Sequence, residues 1–173
     1  MNTITLASIH DAERIKTLIN QAYRGEQGWT KETDIVQGGR TSTDDVRALI
    51  QREDARLFVA KIHDVIAACI CIEDKQEQAY IGTFAVNPAY QNQGLGQQML
   101  DFAEQYVIEQ LPANTLAMVV ISQRTELIAY YQRRGYTRTG EQSDYPIHLN
   151  VGTPTVEGLT IECLKKRIPR QAV

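Results

Sequence analysis

A chain of 173 residues, 43% hydrophobic and 23% charged, has the size and balance of one globular domain over 1–173, with enough apolar residues for a core that needs no disulfide or structural metal. Its formal net charge of −3 gives no field to gather a phosphate backbone or an anionic bilayer, so nucleic acid is not an expected partner. The longest uncharged apolar run, residues 65–72, is too short to span a membrane, and Asp11, Glu13 and Arg14 precede any apolar run of signal-peptide length; a cytoplasmic protein is expected.

The chain opens with a short strand over 3–7, followed by Ala12, Ile15, Leu18, Ile19 and Ala22 at helical spacing, with Ser8 and Asp11 placed to cap. Residues 24–43 hold several glycines and no sustained period, and read as a long loop. Ser42 and Asp45 then fit a capping box ahead of Val46, Leu49 and Ile50, a short second helix. The runs 57–62, 65–72 and 79–86 are β-branched and apolar, separated by His63-Asp64 and by a polar stretch, which predicts an antiparallel meander. After Asn87-Pro88 a helix begins near Gly94, with Leu95, Met99, Phe102, Ala103 and Tyr106 on one face, and stops before Pro112. A buried strand over 116–121, a helix from about Arg124 to Arg134 stopped by Gly135, a strand over 136–138, a loop and a last strand over 159–167 complete the order. The fold class is α+β, a mixed and mostly antiparallel central sheet flanked by helices.

Cys69 and Cys71 lie two apart and so share one face of a strand, while Cys163 is distant, which is no disulfide framework. The histidines are scattered, with no ligand spacing around them, and no metal is expected.

The informative stretch is FAVNPAYQNQGLGQQML, residues 84–100: a strand, a turn with two glycines, then an amphipathic helix. The first helical turn has unpaired N–H groups, the macrodipole adds about half a positive charge, and Gly94 and Gly96 let a phosphate approach the backbone. A dinucleotide fingerprint would need glycine at Met99, and no Walker lysine follows, so both rival phosphate motifs fail. Taken alone, the two glycines are better explained as a tight strand-to-helix turn.

VNPAYQNQGLGQQML resembles the acetyl-CoA signature of the GNAT superfamily of N-acetyltransferases, in which a strand ends in V-x-P and Q/R-x-x-G-x-G/A opens a helix; Gln91, Gly94 and Gly96 take its fixed positions. Downstream, AYYQRRGY, residues 129–136, resembles the superfamily's aromatic-Tyr-x-x-x-Gly-aromatic segment. The element order agrees over nearly the whole chain. The resemblance implies strands at 79–86 and 116–121 (the fourth and fifth of the sheet) that splay to admit a pantetheine arm. It implies backbone pairing along Phe84, Ala85 and Val86, and a pyrophosphate on the N–H groups of Gln91, Asn92, Gln93, Gly94, Leu95, Gly96 and Gln97. Ser122 would flank the arm. Many relatives have asparagine seven residues before the tyrosine; this chain has Arg124, which either meets a cofactor phosphate or an acidic acceptor, or is a solvated helix-start charge.

The resemblance also implies direct transfer from acetyl-CoA to an amine, with an oxyanion donor near Val86 and Tyr131 as general acid to the thiolate; a packed helix aromatic is the alternative for Tyr131. An alkyl amine costs about 4.6 kcal/mol to deprotonate at neutral pH, so a base would help. Candidates are Glu32, Asp34 and Glu73, with Glu32 named first; for each the alternative is a solvated surface charge. Residues 24–43 and 140–157 would form the acceptor wall, with Trp29, Glu32, Tyr145 and His148 facing the substrate and His148 an alternative base. The segments GWTKETD and RTELIAYYQRRGY resemble a microbial subgroup of the superfamily and name no acceptor. The expected partner is a small-molecule amine, and the expected assembly a monomer or homodimer. An acyl-CoA-binding sensor without catalysis, and an acetyltransferase acting on a protein amine, stay open.

Overall fold

The computed structural model describes residues 2–24, 32, 35–149 and 151–170. A seven-stranded sheet runs in the order β1-β3-β4-β5-β6-β9-β7. Its strands are β1 (Thr3–Leu6), β3 (Ala55–Ile62), β4 (Val65–Lys75), β5 (Gln78–Val86), β6 (Thr115–Ile121), β7 (Thr137–Asp144) and β9 (Thr160–Arg167). The strands β2 (Val36–Gln37) and β8 (Thr153–Pro154) pair separately. Helices α1 (Ala12–Arg24), α2 (Thr43–Gln51), α3 (Leu95–Gln110) and α4 (Thr125–Gln132) cover the faces.

Strand alternation divides the core. Leu57, Val59, Cys69, Cys71 and Ala85 face Ile15, Leu18 and Ile19 of α1 and Val46 of α2, while Phe58, Ala60, Ile70 and Ile72 face Met99, Leu100 and Ala103 of α3. Cys69 and Cys71 thus share a face, and Cys69, Cys71 and Cys163 are all free and buried.

The predicted cap at Ser8 forms in full, and at Ser42 the N-cap bond of the expected box is present. Ser8 and Asp11 close a reciprocal capping box on a 3-10 turn before α1, and the Ser42 side chain accepts from the Asp45 N–H at the start of α2. His63 and Asp64 take the left-handed conformation, at φ 48° and 63°, and join β3 to β4 as a tight hairpin.

Two segments differ from the sequence reading. The strand expected over 136–138 continues to Asp144; its TRTGEQSD sequence is exposed throughout and lies on the sheet edge beside β9, so no hydrophobic alternation marks it. The loop over 24–43 contributes β2, a two-residue strand too short to leave a pattern.

The parting of the sheet positions the site. Strand β5 pairs in parallel with β6 only through Gln78, Ala79 and Tyr80 against Thr115, Leu116 and Ala117, and the two strands then separate. On its other side β5 carries a bulge, where the register shifts between Cys69 and Cys71 of β4 and Thr83 turns to φ 46°.

Candidate active-site cleft

Beyond the bulge, Ala85 lies opposite Cys69 and the Asn87 N–H donates to the Ala67 carbonyl at 2.8 Å. Backbone direction alternates along a strand, so Val86 points its N–H and C=O away from β4, into the gap beside β6. Its carbonyl accepts from the Gln91 side chain at 3.2 Å, and the Phe84 carbonyl from the Tyr23 hydroxyl at 2.9 Å.

The gap opens into a cavity of about 420 Å³, within the range of small-molecule sites. One wall is Phe84, Ala85, Val86 and the turn residues Gln91, Asn92, Gly94, Gly96 and Gln97; the other is Arg124, Tyr130, Tyr131 and Arg134 from α4 and its flanks, with Tyr23 at the end of α1.

The turn is built by its backbone. Asn92 and Gly94 stand at φ 62° and 80°, and Gly94 is the N-cap of α3 without any side-chain cap. The first helical bond runs from the Gln98 N–H to the Gly94 carbonyl at 3.0 Å, so the N–H groups of Leu95, Gly96 and Gln97 precede the ladder and are open to an anion. A Cβ on Gly94 would meet nothing within 4 Å, whereas one on Gly96 would stand 3.4 Å from the Tyr130 hydroxyl. Gly94 is required for its left-handed conformation, whereas a Cβ on Gly96 would add bulk at the cavity wall.

Tyr131 is buried, with ring contacts to Tyr130 at 5.4 Å and Tyr136 at 5.9 Å. Its hydroxyl bonds no described residue, and loss of hydration raises its pKa well above the usual phenol value despite the opposing charge of Arg124. It stays protonated at neutral pH. Burial likewise pushes the thiols of Cys69 and Cys71 up to about 12, so neither is a thiolate nucleophile.

Glu32 is 4% exposed. One oxygen accepts from Arg24 Nε at 2.9 Å and the other from Arg124 Nη1 at 3.1 Å. Arg24 also donates to the Tyr145 hydroxyl at 3.1 Å, the Val151 carbonyl at 2.7 Å and the Gly38 carbonyl at 3.0 Å. Glu32, Tyr145 and Arg124 are thereby brought together, with Arg24 as the hub. Tyr145 is buried with Val36, Ile121 and Leu159.

Leu95 keeps its side chain in the core while its N–H stands at the open helix start, and the Gln93 side chain is exposed. Other predicted residues lie apart. His148 is exposed in a 3-10 turn. The Ser122 hydroxyl accepts from Thr160 at 2.8 Å, outside the cavity wall. Glu73 pairs with Arg52 away from the cavity. Trp29 and Asp34 lie outside the described residues. Tyr23, Tyr130 and Arg134 were missed as wall residues. Tyr130 stands beside Tyr131 in the recognised segment, and Arg134 directly before its glycine, so adjacency was the available signal.

The sequence model of the acetyltransferase (GNAT) family matches residues 15–136. Among solved structures, the ribosomal-protein-S18-alanine N-acetyltransferase of Escherichia coli superposes with a TM-score of 0.76 at 20% identity, over 99% of this chain and 97% of that one. An N-acetyltransferase of Staphylococcus aureus gives 0.73 at 14% identity, over 96% and 97%. A GNAT family acetyltransferase of Elizabethkingia anophelis with acetyl-CoA bound gives 0.67 at 17%, over 96% and 98%. These likenesses establish a shared fold. No curated protein matches by sequence.

Proposed function

Because the chain belongs to the acetyltransferase (GNAT) family, we propose that it acts, as one domain over 1–173, as an N-acetyltransferase that moves the acetyl group of acetyl-CoA to a primary amine of a small molecule by direct attack. The observation that carries the reading is the meeting in one cavity of three features: the open helix start at Leu95–Gln97, the outward backbone of Val86, and the protonated Tyr131.

Bound acetyl-CoA supplies an acetyl thioester, an acyl group already activated toward amines. The turn fits its pyrophosphate, since the space beside Gly94 is open and the N–H groups of Leu95, Gly96 and Gln97 are unclaimed by the helix. Backbone groups along Phe84–Val86 would hold the pantetheine amides, with Arg124 and Tyr131 on the facing wall. The Val86 N–H would stabilise an oxyanion without reorganising, because the sheet register fixes its direction. Tyr131 would hold a proton beside the leaving sulfur; its raised pKa opposes full transfer to a thiolate, so hydrogen-bond donation to the developing negative charge would be its contribution. The high thiol pKa values of Cys69 and Cys71 support direct transfer over an acyl-cysteine route.

Glu32, doubly bound by Arg24 and Arg124, serves this reading best as the residue that fixes Arg124 and the acceptor-side loop. Proton removal from the amine then falls to water. A sensor that binds acyl-CoA without turnover is favoured by one fact: among the described residues, no carboxylate or imidazole lines the cavity. Thioester consumption measured over a panel of small amines and amino-terminal peptides separates the readings. Consumption with small amines supports the enzyme, consumption with peptides alone moves the acceptor to proteins, and binding without consumption leaves the sensor.

A further inference from the structure

The anion-binding turn carries no charge of its own. From Gln91 to Gln98 the side chains are amides, leucine and glycine, so a phosphate there would meet N–H donors but no cationic side chain from the turn. The cation at this end of the cavity comes from the chain just past α4.

Arg134 lies with its guanidinium 3.4 Å above the Tyr130 ring centroid. Its Nε donates to Gln97 Oε1 at 2.5 Å and its Nη1 to the Tyr130 carbonyl at 2.9 Å. Gln97 is itself oriented by a bond from its amide nitrogen to Asp101 at 2.7 Å. The guanidinium plane is therefore fixed by a ring on one side and two acceptors along its edge. Its Nη2 donates to no described residue, and the side chain lines the cavity beside Gly96 and Gln97. An arginine serving only to cap α4 would need the Tyr130 carbonyl and nothing else; this one is also locked to the first turn of α3. A guanidinium already immobilised gives up little rotamer freedom when it binds a planar or tetrahedral oxyanion.

We infer that Arg134 is the phosphate-recognising cation of this cleft, gripping a phosphate at the nucleotide end of the cofactor next to the helix start of α3. The inference rests on the acetyl-CoA reading. Two phosphates share the chemistry: the pyrophosphate, and the 3′-phosphate of the ribose.

The test is calorimetric titration of the wild-type chain and the Arg134→Gln and Arg134→Lys variants with CoA and with dephospho-CoA, which lacks only the 3′-phosphate. Turnover of S-acetylpantetheine, which has no phosphate, is measured alongside. Loss of one charged hydrogen-bond partner predicts CoA binding weaker by about ten- to hundredfold in Arg134→Gln. Arg134→Lys should recover part of it, with S-acetylpantetheine turnover unchanged. A loss confined to CoA assigns Arg134 to the 3′-phosphate, and an equal loss with dephospho-CoA assigns it to the pyrophosphate; both support the inference. Unchanged CoA binding in Arg134→Gln overturns it while leaving the acetyl-CoA reading intact. So does an equal loss with S-acetylpantetheine, which would mean a general disturbance of the cleft. A wild-type chain that binds no CoA removes both.

Discussion

Gly94 and Gly96 stand two residues apart in the same motif, yet the structure gives them different duties, and alanine substitution should separate them. At Gly94 the space is open but the backbone is left-handed at φ 80°. Alanine there costs about 1–2 kcal/mol of steric strain, reduced by about 0.4–1 kcal/mol through the lower entropy of the unfolded chain. A net loss of about 1 kcal/mol lowers the melting temperature of a chain this size by about 2–4 °C. At Gly96 the backbone is helical, and alanine gains up to about 1 kcal/mol of helix propensity. Its Cβ, however, would stand 3.4 Å from the Tyr130 hydroxyl on the cavity wall, beside the N–H groups proposed to hold the pyrophosphate. Displacing a charged acceptor from one N–H costs about 1.5–3 kcal/mol, or about ten- to hundredfold in affinity. Thermal melts and acetyl-CoA titration of both variants check this: Gly94→Ala should lose stability with the smaller loss of affinity, and Gly96→Ala affinity with little or no loss of stability. A Gly96→Ala protein that is destabilised but binds acetyl-CoA normally would refute the division of roles.

Tyr131→Phe should lower kcat about a hundredfold, leave KM for acetyl-CoA near the wild-type value and keep the fold; unchanged turnover removes the acid role. Because burial raises its pKa, wild-type activity should show no decline from ionisation of Tyr131 between pH 7 and about 10. Glu32→Gln leaves Arg24 and Arg124 facing each other in a buried site and should cost about 3 kcal/mol in urea unfolding; normal stability with lost turnover would instead make Glu32 a chemical base. Tyr131 and Tyr136 both hold their protons more tightly folded than unfolded, Tyr136 through burial and then Glu104. Their contribution to stability is therefore complete below the unfolded phenol pKa of about 10 and falls as pH rises beyond it. Melts from pH 8 to 11 should show that fall, reduced in Tyr131→Phe and Tyr136→Phe; parallel curves for all three proteins would exclude these phenols as its source.

What could be read from the sequence was local. The helical spacing from Ala12 to Ala22, the common face of Cys69 and Cys71, the stop before Pro112 and the turn at Gly94 each follow from one segment's own periodicity or backbone chemistry. The parting of β5 and β6 came from resemblance to a family. The bulge that aims Val86 did not come from either source, because Thr83 at φ 46° is a residue with no intrinsic preference for that conformation; the surrounding sheet imposes it. The exposed edge strand β7 was half missed for want of any apolar alternation. The cluster around Glu32 was illegible because Arg24 and Arg124 lie 8 and 92 residues away in the chain, and nothing local marks either as a partner.

The two ends of the cleft are consequently built on different principles. The end proposed to take the nucleotide is mainly backbone geometry, a left-handed glycine, three unclaimed N–H groups and a strand register, to which Arg134 adds the one inferred side-chain cation. The end proposed to face the acceptor is held by charge, where Arg24 ties together Glu32, Tyr145, Val151 and Gly38 beside a small apolar cluster. Buried ion clusters of this kind contribute little net stability, but losing one member leaves the others uncompensated. Arg24→Ala should therefore do more than remove a contact, since among the described residues Glu32 would keep only Arg124, and the segments at Gly38 and Val151 would lose their common donor. On the proposed acetyl-transfer reading, changes at exposed positions of these segments should alter acceptor preference only while Arg24, Glu32 and Arg124 are kept together.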